Sequence, residues 1–228
     1  MAPVPAAPTN AIAAVTFAAD PGEIYFPARQ VAKALAIPLQ YDVALDLMTV
    51  GGRTLDPFSR KLSDGTYLIS SKELKRLGVA FKGGSATWHG ASAIYAAGKK
   101  RVLVDLKSQE LWAWQGSLLV YRWDVSTGRE GKQTPNGRFK ADKKEDMHIS
   151  SIYGSPMPFS VHLVGNIFIH GSTLIGSTPG SHGCIRLPIM TTRNVAEEFY
   201  NWIDLGTPVE VTGSFKFDQE PAKTGAGL

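Results

Sequence analysis

This chain of 228 residues contains a single cysteine, Cys184, so no intramolecular disulfide can staple it. Its fold must rest on buried apolar surface and backbone hydrogen bonding, and the thiol needs its own explanation in chemistry or packing. An isolated free cysteine ordinarily behaves as a small buried hydrophobe. The neighbours of this one argue for chemistry: it lies in Gly180-Ser181-His182-Gly183-Cys184-Ile185-Arg186-Leu187, and His170-Gly171-Ser172 begins fourteen positions upstream. A thiol at its ordinary pKa of about 8.5 is mostly protonated at neutral pH, and it needs a base or a positive field to become a nucleophile. His170 and His182 can supply the base, and spacing alone does not separate them. Glycine beside the thiol leaves backbone N–H groups free to face a developing oxyanion. The same three side chains are also metal-ligand types, but a structural zinc takes four ligands and no second cysteine is present.

The rest of the chain reads as short strands with few helices. Residues 1–18, rich in alanine and proline, are expected to form a flexible leader. Ile24-Tyr25-Phe26 reads as a strand, and Pro27 then opens a helical stretch from Ala28 to Ile37 that Pro38 ends. Tyr41 to Val50 is strand-like, with Gly51-Gly52 as a turn. At an offset of 42 residues the theme returns, Tyr25 matching Tyr67, Phe26 Leu68, Leu35 Leu77 and Ile37 Val79. Two strand-helix units in one small α+β domain are expected. Phe81-Lys82-Gly83-Gly84-Ser85-Ala86 reads as a hinge. Beyond it strands dominate: Leu118 to Val125 is one, and the apolar run Ile167-Phe168-Ile169 delivers His170 at its end. Trp112, Trp114 and Trp123 read as core or sheet-face residues rather than a sugar platform. Val195, Phe199, Trp202 and Ile203 recur at helical spacing and predict one amphipathic helix, ended by Gly206. If that helix began close to Pro188, its positive end would lie near Cys184. His89, His148 and His162 read as solvated or satisfied side chains without a catalytic part.

At this point the residues carry a resemblance. Ile169-His170-Gly171-Ser172 followed by the run from Ser181 to Leu187 resembles the His-Gly-Thr and Ser-His-Gly-Cys-x-Arg signatures of the bacterial L,D-transpeptidase catalytic domain, also called YkuD. Arg101 to Leu106 followed by Gln109 to Trp114 is similar to that family's opening hairpin. Ser126-Thr127-Gly128 and Thr134-Pro135-Asn136-Gly137-Arg138-Phe139 resemble its S-T-G and T-P-x-G-x-F stretches. Tyr153 to Phe159 resembles the segment before the catalytic strand, and Gly206 to Val211 the closing strand. The resemblance covers roughly residues 99 to 213. The loop from His170 to Ser181 is a few residues shorter than in many members, which bears on substrate choice more than on chemistry. The N-terminal half resembles the copper amine oxidase N-terminal-like (stalk) domain, but without histidine or cysteine between residues 19 and 88 a copper site is not expected there.

What the resemblance implies can be stated residue by residue. The fold is expected to be a mainly β catalytic domain, a YkuD-type β-sandwich with one packing helix, over residues 95–213. A small α+β domain over 19–88 precedes it, and a flexible tail, 214–228, follows. Cys184 matches the nucleophile, His170 the general base, and His182 a supporting histidine. Gly171 supplies the carbonyl that orients His170, while the amides around Gly183 and Cys184 hold the oxyanion. Arg186, Ser181, Gly171, Ser172 and Tyr153 are expected to contact substrate, with a purely structural ion pair as the alternative for Arg186. The implied reaction cross-links peptidoglycan stem peptides, donor and acceptor, through a cysteine thioester with release of D-alanine, and carbapenem β-lactams are the implied inhibitors. No metal or organic cofactor is expected. A carboxypeptidase or cysteine hydrolase on the same fold, or a non-catalytic wall-binding protein, are the rival readings.

Net charge is +4 and the pI about 9.1. With no nucleic-acid stripe, that suits work beside an anionic polymer such as a cell wall. Apolar stretches stop well short of the ~18 residues a membrane span needs, and the N-terminus lacks signal-peptide character. Taken with these, the resemblance implies an exported periplasmic or wall protein whose leader is missing from this sequence.

Overall fold

The computed structural model describes residues 11–55, 60–176, 178–190 and 193–217. Residues 1–10 of the expected leader and 218–228 of the expected tail lie outside the described residues. The chain divides into two compact units. One holds the described residues up to Val102 with Trp112–Arg122 and Asn201–Thr207; the other holds Leu103–Leu111, Trp123–Tyr200 and the described residues from Pro208.

In the first unit, strands β1 (Ile12–Ala14), β2 (Tyr25–Pro27), β3 (Leu39–Asp42), β4 (Leu47–Val50), β5 (Arg53–Thr54), β6 (Leu68–Ser70), β7 (Ala80–Lys82), β8 (Ser85–Trp88) and β9 (Ala91–Ala97) accompany helices α1 (Ala28–Leu35) and α2 (Ser71–Arg76). They form sheets ordered β1-β9-β8-β7, β2-β6 and β3-β4-β5. The recurrence at 42 residues is structural. Ile37 N–H donates to Ala32 O and Val79 N–H to Leu74 O, both at helix C-termini where Ala36 and Gly78 take left-handed φ values of 54° and 91°. Each helix thus ends in the same 6→1 turn. β2 and β6 pair antiparallel, Phe26 opposite Ile69. Phe26, Val31, Leu35, Met48, Ile69 and Leu74 fill the core between them.

Three expectations change here. Residues 11–18 belong to this unit rather than to a flexible leader: β1 runs parallel to β9, and Ala14, Val15 and Phe17 are buried. The stretch from Tyr41 to Val50 is two strands with a turn between them, because the Asp42 carboxylate accepts from the Ala44 and Leu45 amides and closes the chain on itself. The expected hinge at 81–86 is a two-residue β-hairpin in which Lys82 pairs with Ser85. Gly83 and Gly84 both have positive φ, as a turn matched to strand twist requires.

The second region is a β-sandwich with one helix. β10 (Lys100–Asp105), β11 (Glu110–Gln115), β12 (Leu118–Asp124), β13 (Gly137–Lys140) and β18 (Pro208–Thr212) form a sheet ordered β12-β11-β10-β18-β13. β14 (Lys143–Ile149), β15 (Pro156–Val164), β16 (Ile167–Ser172) and β17 (Ile185–Pro188) form the other, in sequence order. β14, β15 and β16 pair antiparallel, whereas β16 and β17 are parallel. A parallel neighbour needs a crossover of about a dozen residues, and the segment between Ser172 and Ile185 supplies it. Helix α3 (Val195–Trp202) buries Val195, Ala196, Phe199 and Trp202 on one face, the periodicity read from the sequence. It begins at Val195 rather than close to Pro188. Phe199 has no exposed surface. Phe199→Ala should therefore destabilise the protein by about 3–5 kcal/mol in a denaturant titration.

Candidate active site

Parallel pairing puts Ile169 opposite Ile185 and His170 opposite Arg186. Side chains alternate along each strand. Ile169, Ile185 and Leu187 consequently point into the core, at no more than 1% exposure. Their alternate neighbours Phe168, His170, Cys184 and Arg186 line one cleft of about 210 Å³, together with Lys132, His148, Tyr153, Asn166, Ser181 and His182. No carboxylate is among the described residues of its lining.

His170 is buried, and its Nδ1 lies 2.9 Å from Gly171 O. A carbonyl only accepts, so Nδ1 carries the proton and Nε2 is left as the acceptor. Burial pushes the imidazole pKa down to about 4, and the Arg186 and His148 charges push the same way against the Gly171 hydrogen bond. At neutral pH the ring is an uncharged base. Burial also pushes the Cys184 thiol up, while a backbone hydrogen bond from Phe168 and the Arg186 guanidinium favour the thiolate. Its Sγ–H donates to Asn166 O at 3.4 Å. The resting pair is neutral thiol with neutral imidazole, which suits proton transfer during attack rather than a preformed ion pair.

The loop carrying the thiol is fixed by its own hydrogen bonds. Ser181 Oγ donates to Cys184 O at 2.6 Å and accepts from Gly183 N–H at 3.0 Å. Thr134 Oγ1 donates to Gly183 O at 2.7 Å and accepts from Gly128 N–H at 2.9 Å. Ser126 exchanges backbone hydrogen bonds with Arg186, and the Ser181 amide donates to Thr127 O. Gly183 has φ 122°, and a Cβ there would come 3.0 Å from Ile167 Cδ1. The amide of Gly183 is already used by Ser181. The Cys184 amide has no protein acceptor among the described residues and is free to donate.

His182 is exposed. Its ring stacks on Tyr153 with centroids 4.2 Å apart, and its Nε2 sits 3.2 Å from Arg129 Nη2. Loss of solvent, then Arg129, Arg186 and Lys132, lower its pKa. Gly171 and Ser172 do not line the cleft. Gly171 is pressed against α3, where a Cβ would meet Ile189 Cδ1 at 2.5 Å and Ala196 Cβ at 3.0 Å, and Ser172 Oγ accepts from the Leu174 amide. Arg186 donates to Gly180 O at 3.3 Å. The sequence reading missed His148, which lines the cleft and stacks on Phe168 at 4.6 Å. A run of charged neighbours had marked that segment as solvated surface. Among the described residues, no group of three His, Cys, Asp or Glu side chains is placed to hold a metal ion.

Because His170 binds a proton less readily folded than unfolded, the stability it contributes by staying neutral is complete above about pH 6.5 and is lost as pH falls through 4. That loss should approach about 3 kcal/mol in urea titrations from pH 7 to 4. In His170→Gln the corresponding slope should disappear. Gly171→Ala should cost about 1–3 kcal/mol by the same measurement, since neither Ile189 nor α3 can retreat freely.

The family model of the L,D-transpeptidase catalytic domain, YkuD, matches residues 99–211, a stretch that includes His170, His182 and Cys184. A crystal structure of an L,D-transpeptidase from Stackebrandtia nassauensis is 31% identical with TM-score 0.47, over 53% of this chain and 58% of that one. An L,D-transpeptidase from Mycobacterium smegmatis is 14% identical with TM-score 0.46, over 90% and 96% of the two chains. The LD transpeptidase LdtMt1 in complex with imipenem is 14% identical with TM-score 0.46, over 92% and 100%. This chain thus spans less than two thirds of the Stackebrandtia structure it matches. No curated protein sequence matches it.

Proposed function

We propose, from the match of residues 99–211 to the family model of the L,D-transpeptidase catalytic (YkuD) domain, that this protein cross-links peptidoglycan stem peptides through a thioester on Cys184. The observation that carries the reading is a neutral imidazole with a bare Nε2 in the same cleft as the protein's single thiol. In this mechanism Cys184 Sγ attacks the donor carbonyl between the third, diamino-acid residue and terminal D-alanine, and His170 Nε2 takes the thiol proton. The C–N bond then breaks, the proton passes to the leaving amine, and D-alanine departs. The Cys184 amide faces the oxyanion. An amine of a second stem resolves the thioester into a cross-link.

Supporting roles follow from position. Arg186 and Lys132, in a cleft with no carboxylate in its described lining, attract the donor's carboxylate. Tyr153 and His182 form one wall, and Ser181 holds the loop. The N-terminal α+β half serves as a spacer or wall-contact module. Work on peptidoglycan places the protein in the periplasm or cell wall, and no helix among the described residues is long and apolar enough to cross a membrane.

Incubation with a disaccharide-tetrapeptide, followed by mass spectrometry, should yield a cross-linked dimer and free D-alanine. Tripeptide without dimer would mean carboxypeptidase activity instead. A carbapenem should add its mass to the peptide carrying Cys184, and Cys184→Ala should abolish both the adduct and turnover while keeping its melting transition. His170→Ala should slow carbapenem acylation by about two to four decades. His182→Ala should slow it less, since that ring packs beside the loop; a larger defect for a folded His182→Ala would reverse the two roles.

A further inference from the structure

The cleft holds a second acid-base group that the thiol and His170 do not use. His148 Nδ1 lies 3.1 Å from Glu145 Oε1, and its ring is stacked nearly parallel on Phe168, 4.6 Å between centroids and 25° between planes. Three residues apart on a regular strand, the two side chains would point to opposite faces. Here Glu145 pairs with Ser160 and Met147 with Pro158 in one unshifted register, and Phe159 between them takes φ 53°. The Glu145 carboxylate reaches the His148 ring along this stretch, and His148 lines the cleft with its pair partner Met157. Glu145 is itself braced by Lys143 at 2.9 Å. Phe168 is held from its other side by His162, 4.8 Å away, which is tied to Asp142 at 2.6 Å. This arrangement fixes a ring by its Nδ1 and leaves Nε2, without a protein partner among the described residues, on the wall of the cleft that holds Cys184.

We propose that His148, oriented by Glu145, is the base that accepts the proton of the incoming amine when the Cys184 thioester is resolved. The inference rests on the transpeptidase reading and adds a division of labour to it: His170 serves acylation and His148 serves transfer. The reason is chemical. An attacking amine acquires a positive charge as its nitrogen bonds to the thioester carbonyl, and that charge must be relieved before the C–S bond breaks. His170, enclosed and opposite Arg186 on the neighbouring strand, is assigned in this mechanism to the thiol and the departing amine. A carboxylate behind an imidazole stabilises the imidazolium that forms. In the step proposed, the C–N bond forms, one N–H proton moves to His148 Nε2, the C–S bond breaks, and the sulfur leaves as thiolate. The thiolate takes a proton from water and His148 returns its own to solvent, so the products are an amide and the free thiol.

The test separates two rates in the full chain. Disaccharide-tetrapeptide is mixed with enzyme under single-turnover conditions, and quenched samples are weighed by mass spectrometry for the acyl-enzyme and for dimer. In His148→Gln, acyl-enzyme should form within about two-fold of the wild-type rate and decay to dimer about 100-fold more slowly, so that it accumulates. Glu145→Gln should shift the same ratio in the same direction by less. Imidazole added to His148→Ala should restore part of the transfer rate, a readout that a purely structural residue would not move. Equal slowing of both steps, or no slowing of transfer in a folded variant, would overturn the proposal. A wild-type protein that forms neither acyl-enzyme nor D-alanine would overturn the transpeptidase reading and this proposal with it.

Discussion

The site depends on one strand pairing, β16 against β17, in parallel register with Ile169 opposite Ile185. Two consequences follow from strand geometry alone. Alternation anchors both strands in the core through Ile169, Ile185 and Leu187, so the register cannot slip by one residue without turning these side chains out to water. The same alternation puts Phe168, His170, Cys184 and Arg186 on the cleft side. The catalytic groups are thus placed by the burial of their neighbours. Parallel pairing also forces a crossover, and its last turn, Ser181 to Cys184, is where the thiol is presented and clamped by Ser181, Thr134 and Ser126.

Electrostatics in the cleft set the style of chemistry. Enclosure costs both charged forms, pushing the thiol up and His170 down. Arg186 works on both partners in opposite senses for catalysis: it favours the thiolate and disfavours the imidazolium. The resting pair stays neutral. In the proposed mechanism charge appears only as the thiol attacks, with the Cys184 amide, Arg186 and Lys132 to receive it. A cleft without a carboxylate in its described lining suits an anionic peptide terminus better than an approaching ammonium. The proposed resolution of the thioester therefore calls for a separate group, the role proposed for the Glu145–His148 pair.

The catalytic strand and its motif were legible because their chemistry is local. Ile167 to Ile169 forms a buried strand and delivers His170, the amphipathic helix from Val195 ends before Gly206, and the 42-residue recurrence reappears as two identical helix ends at Ala36 and Gly78. What the sequence hid depends on contacts far along the chain. Ile12 to Ala14 looked like part of an unstructured leader, since a three-residue strand has no periodicity of its own and is held only by pairing with β9. Gly83-Gly84 has the same composition in a hinge as in a tight hairpin; the pairing of Lys82 with Ser85 decides between them. The Gly183 amide could not be known to be occupied without the Ser181 rotamer. His148 stood among Lys143, Lys144, Glu145 and Asp146, a pattern that marks solvated surface, and only its pairing with Met157, which also lines the cleft, shows which side it takes.

The central claim is that Cys184 and His170 rest as a neutral pair and exchange the proton only during attack. The rate of alkylation of Cys184 by iodoacetamide, followed by mass spectrometry from about pH 5 to 10, reads the thiolate directly. The account predicts slow reaction through neutral pH and one rise above the ordinary thiol range. A fast plateau extending below pH 7 would mean a preformed thiolate–imidazolium pair and would contradict it.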